Sequence, residues 1–154
     1  VTRKTAAQLD REIAEALSSP SSPPIRDKYK RAKAIVDGRA VRDNIPNRSS
    51  IGAALTNYEV LSGIREVPFA AFTQMPADEM PSYYSISEEK RTKSLAAQIR
   101  QSKEIAPLIV VEDAEGPYVL EGGHRFDALR ELGAKAFPAL VVLDLDSLDE
   151  KDLP

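Results

Sequence analysis

The sequence predicts an α+β fold: a small mixed sheet with helices, preceded by a helical N-terminal extension. Three observations carry this. From Arg65 onward the apolar patterns run in the order strand, helix, strand, hairpin strand, helix, strand. Ala106-Pro-Leu-Ile-Val-Val111 and Phe137-Pro-Ala-Leu-Val-Val-Leu143 are short continuous apolar runs of the kind buried strands show. Tyr118 to Gly133 passes from a strand pattern to a helix pattern across two adjacent glycines. The expected division is a helical, basic extension over residues 1–62, the domain over 63–145 and an acidic tail over 146–154.

Thr5-Ala-Ala-Gln8 has the spacing of a capping box, and Leu9, Ile13, Ala16 and Leu17 follow at helical intervals. That helix should stop near Ser18, where Ser19-Pro-Ser-Ser-Pro-Pro24 reads as a stiff linker. A second helix is expected next. Ile25, Tyr29, Ala32, Ile35 and Val36 form its apolar stripe and Gly38 its C-terminal cap. Residues 39–62 carry less pattern, with a turn at Asn44-Ile-Pro-Asn47 and a short helix over Ile51 to Leu61. Arg65 to Phe72 reads as a strand with Pro68 near an edge. A long loop over 73–86 follows, and such loops in compact domains are often functional.

Ser87 is placed to cap the next helix, with Glu88 and Glu89 in its first turn and Leu95, Ala96 and Ile99 on its core face. The strand from Ala106 turns back at Asp113-Ala-Glu-Gly116 into Tyr118-Val-Leu120. The last helix buries Phe126, Leu129 and Leu132 and ends at Gly133. The tail from Asp144 to Asp152 is acidic and is expected to be solvated or loosely helical.

The 154 residues suffice for one domain with a core. There is no cysteine, which excludes disulfides, thiolate metal sites and cysteine nucleophiles and points to the cytoplasm. A single histidine excludes a multi-histidine zinc site. No apolar stretch has membrane-spanning length and no secretory signal opens the sequence, so no membrane partner is expected. Net charge is −3, unevenly spread: residues 1–48 hold 11 Lys/Arg against 6 Asp/Glu, and residues 49–154 hold 10 against 18. The basic half suggests an arm for DNA, with a solvated helix face as the plain alternative. Lys28, Lys30, Arg31, Lys33, Arg39 and Arg42 are the candidate phosphate-backbone contacts.

The glycine pair concentrates the chemistry. A helix start carries unpaired N–H groups and a partial positive charge, so it suits an anion. Gly122 and Gly123 allow a ligand close to the backbone, and Arg125 adds a fork that matches phosphate. His124 is placed to donate to a phosphate or to act as acid or base. Glu121 is the candidate metal ligand or water-positioning carboxylate. Asp78 and Glu79 are candidates for a second carboxylate. Tyr83 and Tyr84 are candidates to stack on a base, or else to pack in the core.

From about Arg65 to Leu143 the sequence resembles the ParB/sulfiredoxin superfamily. Four pieces match in order: Val67-Pro-Phe-Ala-Ala-Phe72, Leu95-Ala-Ala-Gln-Ile99 before Pro107-Leu-Ile-Val-Val111, Tyr118-Val-Leu-Glu-Gly-Gly-His-Arg125, and Phe126-Asp-Ala-Leu-Arg-Glu-Leu-Gly133 before Phe137-Pro-Ala-Leu-Val141. The resemblance implies a nucleotide-binding fold. Partition proteins of the superfamily bind CTP and carry Gly-Glu-Arg-Arg where this chain has Gly122-Gly-His-Arg125. Their second arginine motif has no counterpart in 73–86, and no helix-turn-helix domain follows, so a complete partition protein is not expected.

Sulfiredoxins place a catalytic cysteine in Gly-Gly-Cys-His-Arg, chemistry closed to this cysteine-free chain. Glu121-Gly-Gly-His-Arg125 resembles the acid-Gly-x-His-Arg form of the free-serine kinases and related proteins. The basic extension is similar to mobile-element members such as plasmid fertility-inhibition proteins of the Osa type. This implies a Mg2+-dependent ATPase with associated DNase activity, using ATP and Mg2+ and acting on DNA or on a protein partner in DNA transfer. On that reading the catalytic residues are Glu121, His124 and Arg125, the nucleotide is held by Gly122, Gly123, His124 and Arg125, and Glu121 holds the metal. The alternatives are a free-amino-acid kinase and a non-catalytic, nucleotide-gated binding or inhibitory module.

Overall fold

The computed structural model describes residues 5–17, 24–72 and 89–148. In chain order the elements are α1 (Ala6–Leu17), β1 (Lys30–Arg31), β2 (Ile35–Val36), β3 (Arg39–Val41), α2 (Ser50–Ala54), β4 (Tyr58–Val60), β5 (Arg65–Pro68), α3 (Glu89–Ser102), β6 (Glu104–Ile105), β7 (Leu108–Asp113), β8 (Gly116–Glu121), α4 (Gly123–Glu131) and β9 (Ala136–Asp144). The main sheet runs β1-β5-β9-β7-β8, with β4 also paired to β9. β7 and β9 are parallel and the other pairs in this sheet antiparallel, so it is the mixed sheet the sequence predicted. A second, three-stranded sheet has the order β2-β3-β6.

β9 explains the arrangement. All of Ala136 to Leu143 is buried, as a central strand covered on both faces requires. Successive side chains alternate between faces. Phe137, Ala139, Val141 and Leu143 join one core, with Leu108 and Val110 of β7 and with Ala96, Ile99, Phe126 and Leu129 of α3 and α4. Leu140 and Val142 join the other, with Ile109, Val111 and Ile51 of α2.

The capping box is present: Gln8 N–H donates to Thr5 Oγ1 at 3.2 Å, and Thr5 N–H donates to Gln8 Oε1 at 2.9 Å. The helix expected over Ile25 to Gly38 is not. A 3-10 turn at Ile25–Asp27 leads to β1 and then to the β2–β3 hairpin. The hairpin turns at Asp37-Gly38, both with positive φ (48° and 78°), which suits a two-residue hairpin loop rather than a helix cap. Asp37 Oδ2 accepts from the N–H groups of Lys135 and Ala136, tying the hairpin tip to the start of β9.

The helix expected over Ile51 to Leu61 is confined to α2, and Tyr58–Val60 pairs as β4 instead. The strand expected over 65–72 ends at Pro68, past the reach of β1, which pairs only with Arg65 and Glu66. Phe69–Phe72 then coils as a 3-10 turn. That turn brings Phe69 and Phe72 against Phe126, at centroid distances of 4.9 and 5.2 Å. Most of the 19–24 linker, the 73–86 loop with Asp78, Glu79, Tyr83 and Tyr84, the Ser87 cap and the tail beyond Leu148 lie outside the described residues.

The extension and the domain share one sheet, because β1 and β4 precede residue 63 and pair with β5 and β9. Buried polar contacts help to fasten the extension. Arg65 Nη1 donates to the carbonyls of Arg26 and Tyr29 at 3.0 and 3.1 Å. Glu112, only 2% exposed, accepts from Lys28 Nζ and from Tyr29 Oη. Among the described residues, no helix is long and apolar enough to cross a membrane.

Candidate functional site

β8 delivers Glu121 to the edge of the sheet, and the chain must then reverse into α4. Gly122 makes that reversal with φ +101°, a conformation side chains other than glycine rarely adopt. Space imposes the same choice, since a Cβ on Gly122 would lie 2.7 Å from Leu108 Cγ and 2.9 Å from Arg125 Nη2. The helix starts at once, with Phe126 N–H donating to Gly122 O at 2.9 Å. Phe126 is fully buried among Phe69, Phe72 and Phe137, which fixes the axis of α4 and the aim of its first turn.

Arg125 lies over this turn, partly buried. Its Nη1 donates to the carbonyls of Ala106 and Pro107 at 2.8 and 2.6 Å. The guanidinium is thereby set in place beside Gly122, and it staples α4 to the chain entering β7. A side chain so held loses little freedom when it binds a ligand.

Gly122 borders a cleft of about 650 Å³; Gly123, expected from the sequence to face the ligand as well, is buried in the first turn of α4 and does not line it. Glu121, Gly122, His124 and Arg125 form one wall. Lys90, Arg91, Ser94, Leu95 and Gln98 of α3 form another, and Pro46, Asn47 and Ala106 complete it. The structure places Glu121, His124 and Arg125 on one wall of this cleft. It adds five polar residues that the sequence reading does not assign to the site: Asn47, Lys90, Arg91, Ser94 and Gln98. Lys90 and Arg91 lie in the first turn of α3, where the helix dipole already contributes positive charge. Lys90, Arg91, Arg125 and the first turns of α3 and α4 therefore concentrate positive potential around Glu121, the one carboxylate among the described residues that line the cleft. Such a cleft favours an anion with several charges.

Glu121 is held from across the cleft, with Asn47 Nδ2 donating to its Oε1 at 2.9 Å. Among the described residues, no three of His, Cys, Asp and Glu come together to hold a metal ion. A cation at Glu121 would complete its shell with water or with ligand oxygens.

The six candidate DNA contacts do not share a helix face. Lys28 is engaged with buried Glu112. Arg42 pairs with Glu104 at 3.2 Å, Arg31 donates to Ser62 Oγ, and Arg39 donates to the carbonyl of Asp37 at the hairpin tip. Lys30 lies on β1, and Lys33 lies in the link to the hairpin; both are exposed. The basic residues are distributed over β1, the link and the β2–β3 hairpin.

An α+β domain with a glycine-turned, cation-lined cleft at one sheet edge is what this geometry defines. The family profile of the ParB N-terminal domain matches residues 54–151. The match covers more than half of the chain, which belongs to this family. Among solved structures, it is similar to sulfiredoxin from Arabidopsis thaliana at 22% identity, covering 51% of this chain and 82% of that one, with a TM-score of 0.37. No curated protein matches it.

Proposed function

We propose that the cleft binds a nucleoside triphosphate and that the chain is a Mg2+-dependent ATPase with associated DNase activity, acting in DNA transfer in the manner of plasmid fertility-inhibition proteins. The observation that supports this best is the cleft itself: two helix starts, Lys90, Arg91 and Arg125 converge beside Gly122. The N–H groups at the start of α4 and the Arg125 fork would hold phosphate oxygens, and Lys90 and Arg91 would neutralise the remaining charge. His124 would donate to a phosphate oxygen and take up or release a proton there. Glu121 would orient a water and hold the metal.

One carboxylate together with phosphate oxygens suits Mg2+, which keeps most of its waters. Bound there, the ion would neutralise charge on the transferring phosphate. The DNase activity is proposed from the family resemblance, with Lys30, Lys33 and Arg39 as contacts to the strand.

The second reading, a nucleotide-gated binding module, is favoured by one observation. Arg125 bonds the carbonyls of Ala106 and Pro107, directly after β6, and β6 pairs with β3 of the basic hairpin. Occupancy at Arg125 therefore has a short physical route to the basic surface.

The test is phosphate release from ATP and nicking of supercoiled plasmid in Mg2+, with wild type and with the Lys90→Ala/Arg91→Ala double variant, whose sites are exposed on α3. Loss of both activities in the variant supports the enzyme. Nucleotide binding without turnover or nicking moves the gated module into first place. Activity untouched by the variant refutes this cleft as its seat.

A further inference from the structure

The cleft is completed by a residue outside the span that the family profile matches. Asn47 precedes residue 54, yet its side chain reaches the carboxylate at the end of β8. A carboxylate only accepts hydrogen bonds, so the amide nitrogen is the atom that must face it, as it does. We infer that Asn47 is a positioning residue for the nucleotide site: by fixing Glu121 Oε1 it orients the carboxylate for a ligand-borne cation, and it makes the extension an integral wall of the cleft. The inference rests on the nucleotide reading above and extends it to a residue that reading does not use.

The local structure shows how Asn47 is held. Pro46 before it has a fixed φ. Asn47 itself sits at φ +55°, a left-handed conformation that asparagine tolerates better than most residues. Its carbonyl accepts from Ser50 N–H at 2.9 Å, at the start of α2. Ile51 then anchors the segment, buried against Ile109, Val111, Leu140 and Val142. The loop is thus fixed to the sheet a few residues beyond Asn47, and the amide presents at one place.

An outer group that hydrogen-bonds a metal-ligating carboxylate sets its orientation, and removing it typically weakens metal affinity by about 10–100-fold. Asn47 donates to one oxygen and leaves Oε2 and a lone pair of Oε1 for the ligand. The same bond limits the carboxylate's rotation towards Lys90, Arg91 or Arg125, where it would compete with phosphate.

The deletion variant must respect the backbone. Alanine at φ +55° would add strain of its own, whereas glycine accepts that conformation and removes only the amide. The experiment titrates ATP calorimetrically into wild type, Asn47→Gly, Glu121→Gln and the double variant, each with Mg2+ and with EDTA. Melting temperatures run in parallel.

Asn47→Gly is expected to weaken Mg2+-ATP binding about tenfold and to leave metal-free binding within a factor of about two. Glu121→Gln should do the same, and the double variant should be no worse than either single variant, because the two residues act as one unit. Equal losses with and without Mg2+, or losses that multiply in the double variant, overturn the positioning role. Unchanged binding by Asn47→Gly overturns it as well, while leaving the nucleotide reading intact. Absence of ATP binding by the wild type removes the nucleotide reading and this inference with it.

Discussion

Replacing Gly122 with alanine tests the reasoning on which the site is built. Two costs are separable. A left-handed backbone costs a non-glycine residue about 1–2 kcal/mol. The new Cβ would also meet Leu108 Cγ at 2.7 Å and Arg125 Nη2 at 2.9 Å. Leu108 is fully buried, so it has little room to yield, and overpacking of this kind costs about 1–3 kcal/mol. Together the loss is about 2–5 kcal/mol, against a total stability on the order of 5–15 kcal/mol for a domain.

The internal control is Gly116→Ala. Gly116 has φ +121°, and a Cβ there meets nothing within 4 Å, so it carries the backbone cost alone. In urea unfolding, with a slope of about 1–3 kcal/mol per molar, Gly122→Ala should unfold at a midpoint lower by on the order of 1 M than Gly116→Ala. The far-UV spectra of both should match wild type before the transition. Equal midpoints would refute the claim that close packing at Leu108 and Arg125, rather than dihedral preference alone, requires this glycine.

Other consequences follow from the same structure. Tyr29 is buried and faces Glu112, so burial first and the carboxylate second raise its pKa above the ordinary value of about 10. The unfolded chain then releases this proton at lower pH than the folded one. The contribution is present below pH ~10 and lost as pH rises past it. Tyr29→Phe should flatten the alkaline limb of stability against pH, and an unchanged limb would contradict the assignment. Lys28→Ala leaves Glu112, 2% exposed, with Tyr29 as the one of these two donors that remains. It should destabilise by about 1–3 kcal/mol, measured by chemical unfolding, and Lys28→Ala with Glu112→Gln should recover part of the loss. If DNA is bound through phosphates, a plot of log K against log salt should be steep, and Lys30→Ala with Lys33→Ala should lower its slope by about 0.9 for each phosphate no longer neutralised. A salt-independent affinity would remove that surface from consideration.

The second half of the chain was legible because its signals are local and redundant. The apolar runs at 106–111 and 137–143 fall within β7 and β9 apart from the Ala106-Pro107 entry, and Gly133 ends α4 with φ +73°. The strand-turn-helix at Glu121–Arg125 was likewise readable, since glycine pairs, strand length and helix period agree there. The extension was misread where two signals competed. Ile25, Tyr29, Ala32, Ile35 and Val36 follow a helical interval, but Asp37-Gly38 between short apolar pairs is a strong two-residue hairpin signal. Tertiary interactions decided the outcome: Asp37 bonds to the start of β9, and Tyr29 is drawn inward to Glu112.

The α3 wall of the cleft was legible only in hindsight. Leu95, Ala96 and Ile99 mark a core face by their spacing, whereas the polar residues at 90, 91, 94 and 98 have the pattern of any solvated helix face. Two cations in a first turn, where the helix dipole favours anions, were the available clue. Asn47 gave no such clue, because its partner Glu121 is 74 residues away in sequence.

The central claim is that the start of α4 and the first turn of α3 together hold the phosphates of a nucleotide. The most direct measurement is a calorimetric titration of ATP, and separately CTP, into the full chain with Mg2+, repeated on Lys90→Ala/Arg91→Ala and on Arg125→Ala. The account predicts saturable one-site binding by the wild type, weaker by at least about tenfold in each variant, where charge-assisted hydrogen bonds to phosphate have been removed, with the double variant melting as wild type does. Binding that all variants retain, or no binding of either nucleotide by the folded wild type, would contradict it.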